Sequence, residues 1–120
     1  MNKYKSINFS KRLNDSLSIK NKYPNMLPII LINNNNNLKL LVSKTIMYNE
    51  LVFILKKNIK IDEHIELLIN NKPIVFENTI DNIYEKYKHN DGMLYISYRK
   101  ILIKNKYLNF FKNLIKYYIF

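Results

Sequence analysis

The order in which hydrophobic periodicity changes along the chain limits the available folds more than any other feature. Asn8, Phe9 and Ser10 supply cap residues before Lys11, and neither proline nor glycine follows until Pro24. Leu13, Leu17 and, less regularly, Ile19 and Tyr23 form an apolar face, with Lys11, Arg12, Lys20 and Lys22 elsewhere. This predicts a basic amphipathic helix ended by Pro24, since proline restricts the residue before it and cannot donate into a helical ladder. Beyond Pro28 the run Ile29 to Ile32 is short and mostly β-branched, which favours a buried strand. Asparagine tolerates left-handed backbone angles, so Asn33 to Asn37 predicts a turn and Leu38 to Val42 the second strand of a hairpin. Helical spacing returns from Glu50 to Ile59 through Leu51, Ile54, Leu55 and Ile59, with Lys56 and Lys57 outside. Then come a strand over Ile65 to Ile69, a turn at Asn70-Asn71-Lys72-Pro73, and a short helix over Thr79 to Tyr87 with Ile80, Ile83, Tyr84 and Tyr87 inward. A turn at Asn90-Asp91-Gly92 leads into a last strand over Met93 to Tyr98.

Apart from the first helix, the order is strand, strand, helix, strand, short helix, strand. This fits an α+β fold of the ubiquitin-like β-grasp type: a four-stranded mixed sheet crossed by one helix, with its first and last strands parallel at the centre. Another α+β arrangement with the same order stays open. At 120 residues, 48% of them apolar, the chain holds one domain with a core and not two. Phosphate loops and dinucleotide fingerprints need more than one glycine, and Gly92 stands alone. The lack of cysteine excludes disulfides, thiolate metal sites and a cysteine nucleophile, and fits a reducing compartment. His64 and His89 stand in dissimilar surroundings and read as surface residues; Asp62, Glu63 and Glu66 read as solvated charges. Neither metal, cofactor nor catalysis is expected. Without a long apolar stretch or an apolar leader after Met1, a soluble cytosolic protein is expected.

The net charge of +11 is unevenly placed. Residues 1–30 hold six Lys/Arg against Asp15 alone, residues 31–98 eight against eight acids, and residues 99–120 six against none. An acidic peptide, an anionic membrane or nucleic acid would therefore meet the termini first. A/T-rich coding DNA also yields much of this lysine and asparagine.

Several blocks, in order, resemble the GABARAP-like autophagy modifiers, the autophagy-related protein 8 family. Phe9-Ser10-Lys11-Arg12, with Ile19 ten residues after Phe9, and Tyr23-Pro24-Asn25-Met26-Leu27-Pro28-Ile29-Ile30 resemble the family's opening. Leu41-Val42, the stretch Glu50 to Ile59, Asn70-Asn71, Ile83-Tyr84-Glu85 and Asp91 to Tyr98 resemble its later blocks. The resemblance covers residues 9–98 and implies a ubiquitin-like modifier domain over 1–98, with two extra N-terminal helices, followed by an atypical basic, aromatic tail over 99–120. It implies a non-enzymatic autophagy adaptor in the cytoplasm and on the autophagosome membrane. The partners implied are linear peptides of cargo receptors and autophagy machinery, a protease, conjugating enzymes and phosphatidylethanolamine; nucleic acid is not expected. In plastid-bearing parasites the family also occupies the plastid outer membrane. A basic module binding membranes or nucleic acid through its termini is the alternative.

The implied peptide motif is an aromatic residue with an aliphatic one three positions on, bound at the edge of the second strand. Carried over, the aromatic pocket comprises Ile19, Pro28, Leu41 and Met93 with Asp15 and Lys39 at its rim, and the aliphatic pocket Leu40, Val42, Ile46, Leu51 and Ile54. Core packing is the competing role for each. The chain departs from the family at Met26 and Asn37, where a basic residue is usual, at Ser43, which replaces a proline, and in its shorter asparagine loop. Asn105 stands where the family carries its lipid-conjugated glycine, so lipid conjugation does not carry over. As a helix, Tyr107, Phe110, Phe111, Leu114, Tyr117 and Tyr118 share one face and Lys104, Lys112 and Lys116 another, the pattern of a membrane-surface segment. A cover over the peptide site and read-through of non-coding DNA are the other readings of this tail.

Overall fold

The computed structural model describes residues 8–34, 36–74 and 76–101. In chain order these form α1 (Phe9–Lys22), β1 (Met26–Leu31), β2 (Leu38–Ser43), α2 (Tyr48–Ile59), β3 (Ile65–Ile69), β4 (Lys72–Pro73), α3 (Ile80–Tyr87) and β5 (Leu94–Lys100). The strands make one mixed sheet in the order β2-β1-β5-β3-β4. β1 and β5 run parallel at its centre and the other neighbours are antiparallel. This is the expected β-grasp, with a fifth, two-residue strand where the sequence reads as a turn. Asn70 (φ 54°) and Asn71 (φ 64°) are both left-handed and fold β3 back so that Lys72 pairs with Ile69. The earlier N-terminal helix, the helical tail and Asn105 lie outside the described residues.

Alternation along the central strands separates two apolar layers. Ile29, Leu31, Leu94 and Ile96 face the main core with Leu51 and Leu55 of α2 and Leu67 of β3. Ile30, Met93 and Tyr95 form a smaller cluster on the opposite face, where α1 lies. β1 starts at Met26, earlier than its β-branched run suggests, and so takes in Pro28. The Ile32 N–H donates to the Ile96 carbonyl (2.8 Å) and the Lys44 N–H to the Asn25 carbonyl (3.0 Å). Even-numbered β1 residues therefore address β5 and odd-numbered ones β2. The donor that Pro28 lacks falls on the β5 side, before parallel pairing begins at Ile29 and Leu94, so the sheet loses no bond. β5 continues past Tyr98, pairing Arg99 with Glu66 and Lys100 with Ile65.

α1 does not bury the face its spacing predicts. Leu17 and, just beyond the helix, Tyr23 are exposed, Leu13 and Ile19 are half-buried, and Ser16 is buried instead. The cause is close approach. Gly92 has φ +82°, and a Cβ built on it would lie 2.9 Å from the Ser16 Cβ, so the helix seats there only because a glycine faces a small side chain. The Ser16 hydroxyl lies 2.6 Å from the Asp91 carbonyl and 2.9 Å from the Leu13 carbonyl. Gly92→Ala is expected to cost about 1–3 kcal/mol, combining backbone strain with this clash, and to lower the urea midpoint at unchanged slope. An unchanged midpoint would show that α1 does not rest on Gly92.

α3 caps the same corner. The Tyr84 hydroxyl donates to the Gly92 carbonyl at 2.5 Å, and burial raises its pKa above the ordinary 10.0 despite the Lys88 ammonium. With the folded pKa raised, this contribution to stability is complete below pH 10.0 and lost as pH climbs through the higher folded value. Tyr84→Phe is expected to flatten that alkaline decline in urea titrations; an identical decline would place its origin in other tyrosines.

Candidate functional site

The sheet has two unlike edges. β4 is two residues long, and one of them, Pro73, has no N–H to offer. β2 presents six residues, Leu38–Ser43. The parity set by the Lys44–Asn25 bond turns the backbone groups of Leu38, Leu40 and Val42 toward β1 and those of Lys39, Leu41 and Ser43 outward. The Ser43 carbonyl already accepts from the Ile46 N–H (3.2 Å), so Lys39 and Leu41 carry the open main-chain groups.

Side chains on this edge divide between the sheet faces. Lys39 pairs with Ile30 and Leu41 with Pro28, which puts both on the α1 face. There Asp15 of α1 meets Lys39 at 3.5 Å; both are well exposed, so the pair marks proximity more than it stabilises. Leu41 is 38% exposed, Ile19 is half-buried, and Pro28 is buried. Met93 is wholly buried with Ile30 and Tyr95 and underlies this face. Leu40 and Val42 point to the α2 face. Val42, Ile46 and Leu51 belong to the main core, Leu51 at 0% exposure, while Leu40 and Ile54 pack half-buried at its margin. From sequence, Asp15 and Lys39 belong at the rim of the aromatic pocket and core packing stays open for each of these residues. Burial divides them into a solvent-facing set (Lys39, Leu41, Leu40, Ile54, with Asp15 and Ile19) and a supporting set beneath.

Two features escape the sequence reading. The first holds α1 in place. Asp91, 2% exposed, receives the Arg12 Nε–H on Oδ2 (3.1 Å), the Tyr95 hydroxyl on the same oxygen (2.5 Å) and the Met93 N–H on Oδ1 (2.9 Å). Its signal was present, because Arg12 and Asp91 each sit in a block that carries the resemblance, though 79 residues apart. The second is Phe53, 67% exposed on the outer side of α2; its signal is an aromatic residue on the polar side of an amphipathic helix.

Among the described residues no group of three or more His, Cys, Asp or Glu converges as a metal site, and no helix is long and apolar enough to cross a membrane. The chemistry on offer is main-chain pairing at an open strand edge, flanked by apolar patches on both faces.

Residues 11–103 match the family model described as "Autophagy protein Atg8 ubiquitin like". The chain is 28% identical over 99 residues to autophagy-related protein 8e of Arabidopsis thaliana, covering 75% of this chain and 81% of that protein. It is 30% identical over 99 residues to autophagy-related protein 8 of Schizosaccharomyces pombe, covering 75% and 82%. The crystal structure of Trypanosoma brucei ATG8 superposes with a TM-score of 0.75 at 26% identity, covering 86% of this chain and 97% of that one. Plasmodium falciparum Atg8, in complex with a P. falciparum Atg3 peptide, gives 0.66 at 29% identity, covering 79% and 92%. With a family match spanning the β-grasp and solved members superposing on it, the chain belongs to the Atg8 family of ubiquitin-like autophagy proteins, which are modifiers and adaptors and not enzymes.

Proposed function

We propose that the chain is an autophagy adaptor that captures extended peptides carrying an aromatic residue and, three positions on, an aliphatic one, by adding them to the β2 edge. The carrying observation is the division of the edge side chains between opposite faces. In an extended peptide, residues three apart point to opposite sides and lie about 10 Å apart. An aromatic side chain placed over Leu41 and Ile19 thus leaves the aliphatic one on the α2 face, by Leu40 and Ile54. The outward main-chain groups of Lys39 and Leu41 supply the pairing. A family relative in complex with an Atg3 peptide supports the same use of this fold. The partners are then peptides of cargo receptors and autophagy machinery, met in the cytoplasm and at the autophagosome membrane. Attachment to phosphatidylethanolamine is not part of the proposal, since Asn105 occupies the place of the conjugated glycine.

The test is a fluorescence-anisotropy titration of a labelled aromatic-x-x-aliphatic peptide. Leu41→Asp, a change at a solvent-facing position, is expected to weaken binding by about tenfold or more, because it sets a carboxylate against the aromatic ring. Equal affinity for both proteins would sink the reading.

A further inference from the structure

The outer side of α2 is not accounted for by a β2-edge site. Phe53 points away from the core and joins two hollows in the surface. One, about 340 Å³, is lined by Asn49, Glu50, Phe53 and Ile54. The other, about 420 Å³, is lined by Phe53, Lys56, Lys57, Lys60, Ile61 and Asp62. Ile54 belongs to both the first hollow and the solvent-facing set at the peptide edge, so a continuous path leads from the edge over Phe53 to three lysines.

The acidic groups along the path are already engaged or outnumbered. Glu50 accepts the Met47 N–H at 3.1 Å, capping α2. The Asp62 carbonyl takes the Lys56 ammonium at 3.2 Å, leaving one carboxylate beside three cations. Lys57 and Lys60 are exposed and, among the described residues, form no ion pair. Cationic density is therefore at the far end of the path and apolar surface at its start. Along β2 itself Met26 and Asn37 stand near opposite ends, at Ser43 and before Leu38, and the strand's one cation, Lys39, is already beside Asp15.

We infer that this ridge is a second contact zone for the same peptides, one that takes a flank following the aliphatic residue, with an apolar side chain against Phe53 and acidic residues against Lys57 and Lys60. The inference rests on the β2-edge reading. Residues after the aliphatic one leave the edge beside Ile54, and an acidic segment is the complement of the lysines beyond. Selectivity for acidic sequence then resides on the C-terminal side of the motif.

The experiment compares two labelled peptides sharing one aromatic-x-x-aliphatic core, one with a glycine-serine flank and one with a leucine followed by three glutamates. At low salt the acidic-flank peptide is expected to bind the wild-type chain on the order of tenfold more tightly. Phe53→Ser and the Lys57→Glu/Lys60→Glu double variant are expected to erase that gain while leaving the neutral-flank peptide unchanged, and raising salt should shrink it. Neutral-flank binding that depends on Leu41, with no gain from the acidic flank or a gain that survives charge reversal, would overturn the ridge alone. Absence of Leu41-dependent binding by either peptide would overturn the edge reading with it. Phe53-dependent sedimentation with phosphatidylserine vesicles, in the absence of a flank effect, would assign the ridge to membranes and also overturn the inference.

Discussion

Asp91→Ala is expected to release α1 from the sheet while the β-grasp beneath it stays folded. The carboxylate is almost wholly buried and accepts from Arg12, Tyr95 and the Met93 N–H; Arg12 itself is only 14% exposed. Removing one partner of a buried ion pair costs about 3–5 kcal/mol, because the remaining charge keeps its desolvation and loses its compensation. The loss falls first on α1. Ser16 is its buried residue, Phe9 and Leu17 face solvent, and the main core lies across the sheet from it. Hydrogen exchange is the direct readout: amides over Phe9–Lys22 should lose protection while those of β3 and β5 keep theirs. Peptide affinity should fall in parallel, since Asp15 and Ile19 travel with the helix. Asp91→Asn, which keeps an acceptor for the Met93 N–H, should lie between. Uniform loss of protection, or none, would contradict a latch confined to α1.

Leu51→Ala is the second large effect, and it separates packing from recognition. Leu51 is fully buried among Leu55, Val42 and Ile46. Truncating it leaves a cavity under α2 and is expected to cost about 2–5 kcal/mol in urea unfolding. Ile54→Ala, at a half-buried margin, is expected to cost markedly less stability and yet to weaken a peptide's aliphatic contact. If Leu51→Ala left stability unchanged and abolished binding, Leu51 would be a pocket residue and the division between the solvent-facing and supporting sets would be wrong.

The elements that can be read from residues alone are those whose own periodicity carries the signal. Ile65–Ile69 is the strand that its spacing predicts, and α3 begins one residue inside its expected span. α2 starts at Tyr48, two residues before the expected start at Glu50, where the Tyr48 ring meets Phe76 edge-on at 5.4 Å. That contact comes from outside the helix. β4 escaped because two residues cannot display a period; its pairing follows from two left-handed asparagines. The candidate site divides in the same way. Assigning its residues to the β2 edge required only the resemblance and a strand of alternating side chains. Knowing which of them meet solvent required the neighbours.

By itself, then, the sequence determined the order of the longer elements, an α+β pattern that fits the β-grasp, the family resemblance and the candidate edge, since each depends on local spacing or on blocks contiguous in the chain. Tertiary structure decided which side of α1 turns inward, which site residues are surface and which are core, and where Phe53 points. The physical reason lies in the separation of the partners. Ser16 is buried because Asp91 and Gly92, some 75 residues away, leave room and an acceptor for it. An amphipathic pattern establishes that a helix has two unlike sides; the shape and hydrogen-bonding needs of what it packs against choose between them.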